Sequence, residues 1–202
     1  YSSRRILTLS LENGESIETA STWNLAIRNE IGQRLVRALG QQIFFLKRFH
    51  CDPHPGNFAF REDGSVIIYD FGGVKTLSNE LISHFKTLVR AGRKQDIATI
   101  ENELLALDAL AEKDKFPEEL YKAWLEVLLR PLSTYYDFAE NSAHHDGMRL
   151  VKKSLKYWDV FKPSPDTLMV NRTISGQYWN LIHLKVHDNL NELFEELVDN
   201  HD

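Results

Sequence analysis

The segment FHCDPHPGN, from Phe49 to Asn57, restricts the fold of this chain more than any other feature. Proline fixes its φ angle and glycine permits unusual φ values, so a loop with two prolines and a glycine can be held in one shape. The segment NFAFRE, the turn pair Asp63-Gly64 and the segment SVIIYDFGG follow. Two short apolar runs around such a turn predict a β-hairpin from Asn57 to Asp70. A hairpin of this size would return Asp70 to the neighbourhood of Asp52 and Asn57.

The order Asp52, Asn57 and Asp70 indicates phosphoryl transfer. Carboxylate and amide oxygens suit Mg²⁺, which is usually bound by one or two protein groups together with substrate phosphates. Asn57 and Asp70 would therefore be the metal ligands, and Asp52 would orient or deprotonate the attacking hydroxyl or water. Kinases divide these roles in the same way between an Asp-x-x-x-x-Asn loop and an Asp-Phe-Gly segment. The pattern therefore predicts Mg²⁺ bound together with a phosphate substrate, and the likeness to kinases implies that ATP is this substrate.

The two histidines of the loop and the run His144-His145-Asp146 each have more than one possible role. His50 is expected to pack near Asp70-Phe71-Gly72, as the histidine before the catalytic aspartate of kinases does. His54 would either contact phosphate, and so belongs among the candidate cofactor-binding residues, or only brace the loop. The run His144-His145-Asp146 resembles a metal cluster, but adjacent histidines rarely share one ion, and AENSAHHDGM is typical of a surface loop.

The rest of the chain predicts helices around one small hairpin. RRILTLSL, from Arg4 to Leu11, predicts a strand that ends at the turn Asn13-Gly14. Apolar residues at helical spacing predict a long helix from about Thr22 to Arg48. A helical bundle would follow. Its helices would run from the N-cap Ser78 to about Arg93, over QDIATIENELLALDAL, from Pro117 to about Arg130, from Gly147 to Trp158, and from Ser175 to Val198 with a break near Asp188-Asn189. Its core would contain the aromatic residues Trp124, Tyr135, Tyr136, Trp158 and Trp179. The predicted fold class is α+β, mainly α.

The loop and the strand after it resemble one known family. FHCDPHPGN followed by VIIYDFGG is similar to the UbiB/ADCK family of atypical protein-kinase-like proteins, which carry His-x-Asp-Pro-His-Pro-Gly-Asn before Asp-Phe-Gly. The likeness extends upstream to ILTLSLENGESI, at the place of the family's hinge strand. It extends downstream to RAGRKQDI and to NRTISGQYWNL, which is similar to the family's late Arg-x-x-x-Gly segment. Gly73 departs from the family, in which Met commonly follows Asp-Phe-Gly.

The resemblance implies a kinase-like C-terminal lobe over residues 1–202. Residues 1–14 would be the hinge strand and turn, 49–73 the catalytic loop, hairpin and metal-binding segment, and 78–202 the helical bundle. The phosphate-covering loop, the strand lysine and the Lys-x-Gly-Gln segment of the family precede the hinge, so we expect the N-terminal lobe to lie outside this chain. The family further implies kinase or ATPase activity that supports ubiquinone or other isoprenoid-lipid metabolism at a membrane surface, with this lobe alone inactive.

Other functions remain open at this level. Aminoglycoside and choline kinases also use His-x-Asp-x-x-x-x-Asn followed by a strand aspartate, although they lack the His-Pro-Gly insert. A metal-dependent hydrolase could bind Zn²⁺ or Fe through His50, Asp52 and His54. A non-catalytic lobe or scaffold is the third alternative.

The composition limits the partners and the cellular location that we expect for this protein. A net charge of −5 with scattered Lys and Arg does not favour nucleic acid. The single cysteine, Cys51, cannot form an internal disulfide, and we expect it to be a small buried filler. No apolar run approaches the roughly 20 residues of a membrane span. We therefore expect a cytoplasmic or organellar protein, peripheral to a membrane, whose partners are a nucleotide, the N-terminal lobe, and a membrane surface or isoprenoid lipid.

Overall fold

The computed structural model describes residues 2–111, 117–132, 135–140, 142–157, 159–160 and 165–199. Helices make up most of this part of the chain: α1 (Ile17–Ala20), α2 (Leu25–Gly40), α3 (Asn79–Arg93), α4 (Ile97–Ala106), α5 (Glu118–Leu129), α6 (Ser142–Ser154), α7 (Pro165–His183) and α8 (Asn191–Asp199). The strands are short: β1 (Arg48–His50), β2 (Phe58–Phe60), β3 (Val66–Ile68), β4 (Val74–Thr76), β5 (Tyr136–Asp137) and β6 (His187–Asp188). They form two-stranded antiparallel sheets, β1 with β4, β2 with β3, and β5 with β6. The predicted α+β, mainly helical fold class is confirmed.

The predicted hairpin forms at the expected place. Strands β2 and β3 pair with Phe58 opposite Ile68 and Phe60 opposite Val66. The turn is at Asp63-Gly64, where Gly64 has a φ of +80°, a value that suits glycine because it has no Cβ. The Ser65 N–H donates to Asp63 Oδ1 at 2.8 Å. Hydrogen bonds from the Ser65 side chain and backbone hold the pKa of Asp63 below its usual value.

A second strand pair, which the sequence did not predict, positions the polar loop. Strand β1 pairs with β4, with His50 opposite Val74. Phe49 of β1 is fully buried in an apolar cluster with Ile43, Leu81 and Val170, so the start of the loop is fixed to the body of the protein. The two sheets therefore hold both the loop and the segment that follows the hairpin.

Two predictions for the first part of the chain were wrong. Arg4–Leu11 forms no strand, and Ile6, Leu7, Leu9 and Leu11 are all exposed, because no strand in the described part of the chain pairs with this segment. The long helix ends earlier than expected. Helix α2 passes at Gly40 into a π-helical turn over Gln41–Phe45, and a positive φ of +55° at Lys47 redirects the chain into β1.

The helices after the hairpin follow local signals at most of their ends. The Ser78 side chain accepts from the Leu81 N–H at 3.1 Å and caps α3, as predicted. Asp96 caps α4 through the Thr99 N–H at 3.1 Å, and the Thr99 hydroxyl holds the pKa of Asp96 below its usual value. Pro117 is the N-cap residue of α5, which ends at Leu129.

The segment His144-His145-Asp146 lies within helix α6 and not in a surface loop, so that prediction was wrong. Helix α6 begins at Ser142 and not at Gly147, because Ala143 and Leu150 bury one side of it. Asp146 accepts from Arg130 Nη1 at 2.7 Å and also pairs with Arg149. Its carboxylate is therefore engaged by arginines.

The aromatic residues divide between the core and the surface. Tyr136 is buried, and Trp124 packs against the main apolar cluster of α2, α5, α6, α7 and α8. Tyr135 is 71% exposed and Trp179 is 39% exposed, so these two were wrongly assigned to the core. Trp158 lies outside the described residues. The last helical region is α7 and α8, interrupted between His183 and Asn191, which contains the predicted break near Asp188-Asn189.

Candidate active site

The polar loop has a defined shape after β1. Pro53 is buried, and residues Pro55–Asn57 form a short 3₁₀ turn. His54 Nδ1 accepts from the Gly56 N–H at 3.0 Å and caps this turn. In the neutral ring this leaves the proton on Nε2, so His54 presents a donor on an exposed face while it braces the loop.

The structure brings Asp52 and Asn57 into direct contact. Asn57 Nδ2 donates to Asp52 Oδ2 at 2.8 Å and to the Asp52 carbonyl at 3.1 Å. Because the amide nitrogen is directed at the carboxylate, the amide oxygen Oδ1 is left as an acceptor for another group. The Asp52 side chain is 47% exposed, so a substrate hydroxyl or water has access to it.

Backbone hydrogen bonds place the Asp70 segment against this loop on both sides. The Tyr69 N–H donates to the Asn57 carbonyl at 2.8 Å, which extends the hairpin by one pair. The Cys51 N–H donates to the Gly73 carbonyl at 2.8 Å, which extends the β1–β4 pair. Asp70, Phe71 and Gly72 therefore span the gap between two points of the loop, next to Asn57 at one end and next to Asp52 at the other.

Asp70 adopts an uncommon backbone conformation that its neighbours hold. Its φ is +48°, in the left-handed region that Asp and Asn tolerate better than most residues. Asp70 Oδ1 accepts from the Gly72 N–H at 2.9 Å. His50 Nε2 lies 2.5 Å from the Asp70 carbonyl, and the buried His50 ring contacts the Phe71 ring edge-on at a centroid distance of 5.8 Å. His50 thus packs beside Asp70-Phe71-Gly72, as expected.

One face of helix α7 closes over the loop. The segment NRTISGQYWNL, which lies in this helix, was assigned to the family resemblance through its Arg-x-x-x-Gly spacing but not to the site. A Cβ added to Gly176 would lie 2.5 Å from Pro53 Cβ and closer still to Pro53 Cγ. Asn180, fully buried, donates through Nδ2 to the Pro53 carbonyl at 3.2 Å. Arg172 Nη2 lies 3.6 Å from Asp52 Oδ1. The spacing Arg172, Gly176, Asn180 places all three on one helical face, and this regular interval was the signal available in the sequence.

The donor set fits a hard divalent cation bound together with phosphate. Asn57 offers its amide oxygen, and Asp70, which uses Oδ1 for Gly72, offers Oδ2. Mg²⁺ commonly takes one or two protein oxygens and completes its shell with substrate phosphates and water. The assignment of Asp52 as base, Asn57 and Asp70 as metal ligands and His54 as a phosphate contact stays a prediction.

The set His50, Asp52 and His54 does not form a metal site of the hydrolase type. Among the described residues, no three His, Cys, Asp or Glu side chains are grouped closely enough to hold a metal ion. His50 is directed at the Asp70 carbonyl and His54 at the Gly56 N–H, so the two rings serve different parts of the loop. Helix α6 brings no such site at His144-His145-Asp146 either.

The fold and the loop define a kinase-like lobe, and the comparison with protein families agrees. The family model of the ABC1 atypical kinase-like domain matches residues 1–104, about half of the 202 residues. The chain therefore belongs to the ABC1 atypical kinase-like family, which confirms the UbiB/ADCK assignment made from the loop.

Curated relatives match over different lengths. The chain is 32% identical over 114 residues to Protein ACTIVITY OF BC1 COMPLEX KINASE 7, chloroplastic, of Arabidopsis thaliana, a match that covers 54% of this chain and 16% of the relative. It is 23% identical over 197 residues to Atypical kinase COQ8B, mitochondrial, of Rattus norvegicus, which covers 95% of this chain and 37% of the relative. The chain thus spans well under half of the length of these relatives.

A solved structure shares the fold. The Rv3197–erythromycin complex from Mycobacterium tuberculosis superposes with a TM-score of 0.68 at 19% identity, over 93% of this chain and 48% of that one. At this identity the likeness shows the kinase-like fold alone.

Proposed function

We propose that this chain is the lobe that carries the catalytic loop of an ATP- and Mg²⁺-dependent atypical kinase or ATPase of the UbiB type. The observation that carries the proposal is the Asn57–Asp52 hydrogen bond at 2.8 Å, together with the two backbone bonds that hold Asp70 beside it. This arrangement supports phosphoryl transfer because one group must address the nucleophile while two others hold the charge of the phosphates.

Each residue has a separate task in this proposal. Asp52 accepts a hydrogen bond from the attacking hydroxyl or water and orients it. The Asn57 amide keeps the Asp52 carboxylate in place with its nitrogen and binds Mg²⁺ with its oxygen. Asp70 is the second ligand, and His54 donates to phosphate through Nε2. When bound, Mg²⁺ would neutralise charge on the transferring phosphoryl group.

The proposed setting is a membrane surface, in support of ubiquinone or other isoprenoid-lipid metabolism. No helix among the described residues combines the length and the apolar character needed to cross a bilayer. Helix α6 and the 3₁₀ turn after it, Leu155–Tyr157, expose Met148, Val151 and Leu155 beside Lys152, Lys153 and Lys156. An exposed apolar stripe flanked by lysines is typical of helices that lie on anionic membranes.

The test uses this chain joined to the N-terminal lobe of a protein of the ABC1 atypical kinase-like family. Nucleotide affinity with and without Mg²⁺ is measured beside ATP hydrolysis for the wild type, Asp70→Asn and Asp52→Asn. Asp70→Asn should weaken the Mg²⁺ dependence because it removes a ligand charge. Asp52→Asn should spare nucleotide binding and reduce turnover because it alters the group that addresses the nucleophile.

The isolated chain is the negative control. In kinases a lysine of the other lobe pairs with the phosphates, and electrostatic stabilisation of the transferring group is often the largest catalytic term. The isolated chain should therefore bind nucleotide weakly and turn over little ATP. If Asp70→Asn leaves affinity and turnover unchanged at limiting Mg²⁺, the metal is bound elsewhere and the proposed mechanism is wrong.

A further inference from the structure

The loop that carries Asp52 contains no lysine or arginine between Asp52 and Asn57. Phosphoryl transfer concentrates negative charge where Asp52 works, and such sites commonly place a cation there. The nearest cation that the structure shows at Asp52 comes from far along the chain. Arg172 Nη2 of helix α7 lies 3.6 Å from Asp52 Oδ1.

The two oxygens of Asp52 have different partners. Oδ2 accepts from Asn57 Nδ2 at 2.8 Å, while Oδ1 faces Arg172. A carboxylate held at one oxygen can still rotate about that contact, whereas one held at both oxygens has a defined plane. A hydrogen bond from Asn57 and an ion pair with Arg172 therefore address the two oxygens of Asp52 separately.

Helix α7 is fixed on the loop tightly enough to deliver Arg172 reproducibly. One turn after Arg172, Gly176 lies against the Pro53 ring so closely that a Cβ would overlap it. One turn further, the buried Asn180 donates to the Pro53 carbonyl. The helix thus contacts the residue next to Asp52 at two points.

We propose that Arg172 is a positioning residue that acts through Asp52: its guanidinium group orients the carboxylate that the proposed function uses. The inference rests on that proposed function for its consequence in turnover, but not for the contact itself. The Arg172 side chain is 63% exposed and that of Asp52 is 47% exposed. Exposed ion pairs add little to global stability, so the effect of Arg172 should be local to the loop.

Amide hydrogen exchange measured by NMR on this chain tests the contact without any activity. The Cys51 N–H, bonded to the Gly73 carbonyl, and the Asn57 N–H, bonded to the His54 carbonyl, report opening of the loop. The Gly64 N–H, bonded to the Arg61 carbonyl in the hairpin turn, serves as an internal control. Arg172→Ala and Asp52→Asn should each speed exchange of the loop amides by roughly two- to fivefold, the range that an exposed ion pair corresponds to.

The decisive comparison is the double variant. If Arg172 acts through Asp52, then Arg172→Ala adds nothing to Asp52→Asn, since the contact is already lost. Arg172→Lys should fall between wild type and Arg172→Ala. The matched control is Arg37→Ala, which removes an exposed arginine from a surface pair with Glu196 and should leave all three amides unchanged. Additive effects of Arg172→Ala and Asp52→Asn, or no effect of Arg172→Ala on the loop amides, would overturn the proposal.

Turnover in the joined two-lobe protein separates this inference from the proposed function. Arg172→Ala should lower kcat with little change in the KM for ATP, and it should have no further effect in the Asp52→Asn background. If the exchange data show coupling but Asp52→Asn leaves turnover unchanged, the proposed function fails and the positioning contact stands. If the exchange data show no coupling, the positioning role is wrong whatever the turnover.

Discussion

Gly176→Ala should change the free energy of unfolding of this lobe only slightly but should displace the loop that carries Asp52. The added methyl group would lie 2.5 Å from Pro53 Cβ and nearer to Cγ, whereas carbon atoms in favourable contact lie about 3.5–4.0 Å apart. Helix α7 or the Pro53 segment must therefore move by about 1 Å or more. Because Pro53 follows Asp52 directly, that movement would displace the Asp52 carboxylate.

The magnitude follows from two opposed terms. Alanine in place of glycine inside a helix gains about 1 kcal/mol. Overpacking a well-packed contact costs about 1–3 kcal/mol. The net loss in the free energy of unfolding should thus be small, between about 0 and 2 kcal/mol, although a 1 Å misplacement of a catalytic group can cost about a hundredfold in rate.

Gly147→Ala is the matched control for this prediction. Gly147 also lies in a helix, but an added Cβ would meet the Trp124 ring at 3.7 Å, an ordinary van der Waals distance. It should stabilise the protein by about 1 kcal/mol through helix propensity alone. Urea unfolding of both variants, with ATP turnover in the joined two-lobe protein, gives the comparison. If Gly176→Ala stabilises as much as Gly147→Ala and turnover is unchanged, the contact between α7 and the loop is not as tight as the structure has it.

Two further predictions concern the surface of the lobe. The double variant Met148→Ser and Leu155→Ser should weaken binding to vesicles that contain anionic phosphatidylserine several-fold in a sedimentation assay, because both side chains belong to the exposed apolar stripe beside the lysines of α6 and the turn after it. Leu128→Ser, which removes an exposed leucine from α5, should not weaken this binding. Equal losses in both variants would contradict the assignment. The pKa of Asp96 is lowered in the folded state from its ordinary 3.8, so the stability that this cap contributes is present above that pH and is lost as the pH falls through the folded pKa. Asp96→Asn keeps a cap but cannot titrate, so it should lose less stability than the wild type between pH 6 and pH 3, measured as urea midpoints. An identical pH dependence of the two proteins would contradict the role of Asp96 as a titrating cap.

Sequence alone determined the elements whose cause is local. The Asp63-Gly64 turn lies where a positive φ is needed, and the flanking apolar runs then pair in one register. Ser78 caps α3 with its own side chain. The loop from His50 to Asn57 is so unusual in composition that it indicated both the family and the residues of the candidate site. Asp52 and Asn57 can meet because they lie only five positions apart in the same tight loop.

Only the tertiary structure decided the features that depend on distant partners. The pairing of β1 with β4 joins residues on opposite sides of the hairpin, and neither strand is distinctive by itself, because strand formation depends on packing and pairing context. The strand expected over Arg4–Leu11 has a suitable composition but pairs with no described strand. Helix α6 extends through His144-His145-Asp146 because the burial of Ala143 and Leu150 and the arginines at Asp146 outweigh the polar composition of that segment. Arg172 reaches Asp52 only because Gly176 and Asn180 pack α7 on Pro53, more than a hundred residues away in the chain. The four-residue spacing places the three residues on one helical face, but it does not show which segment that face contacts.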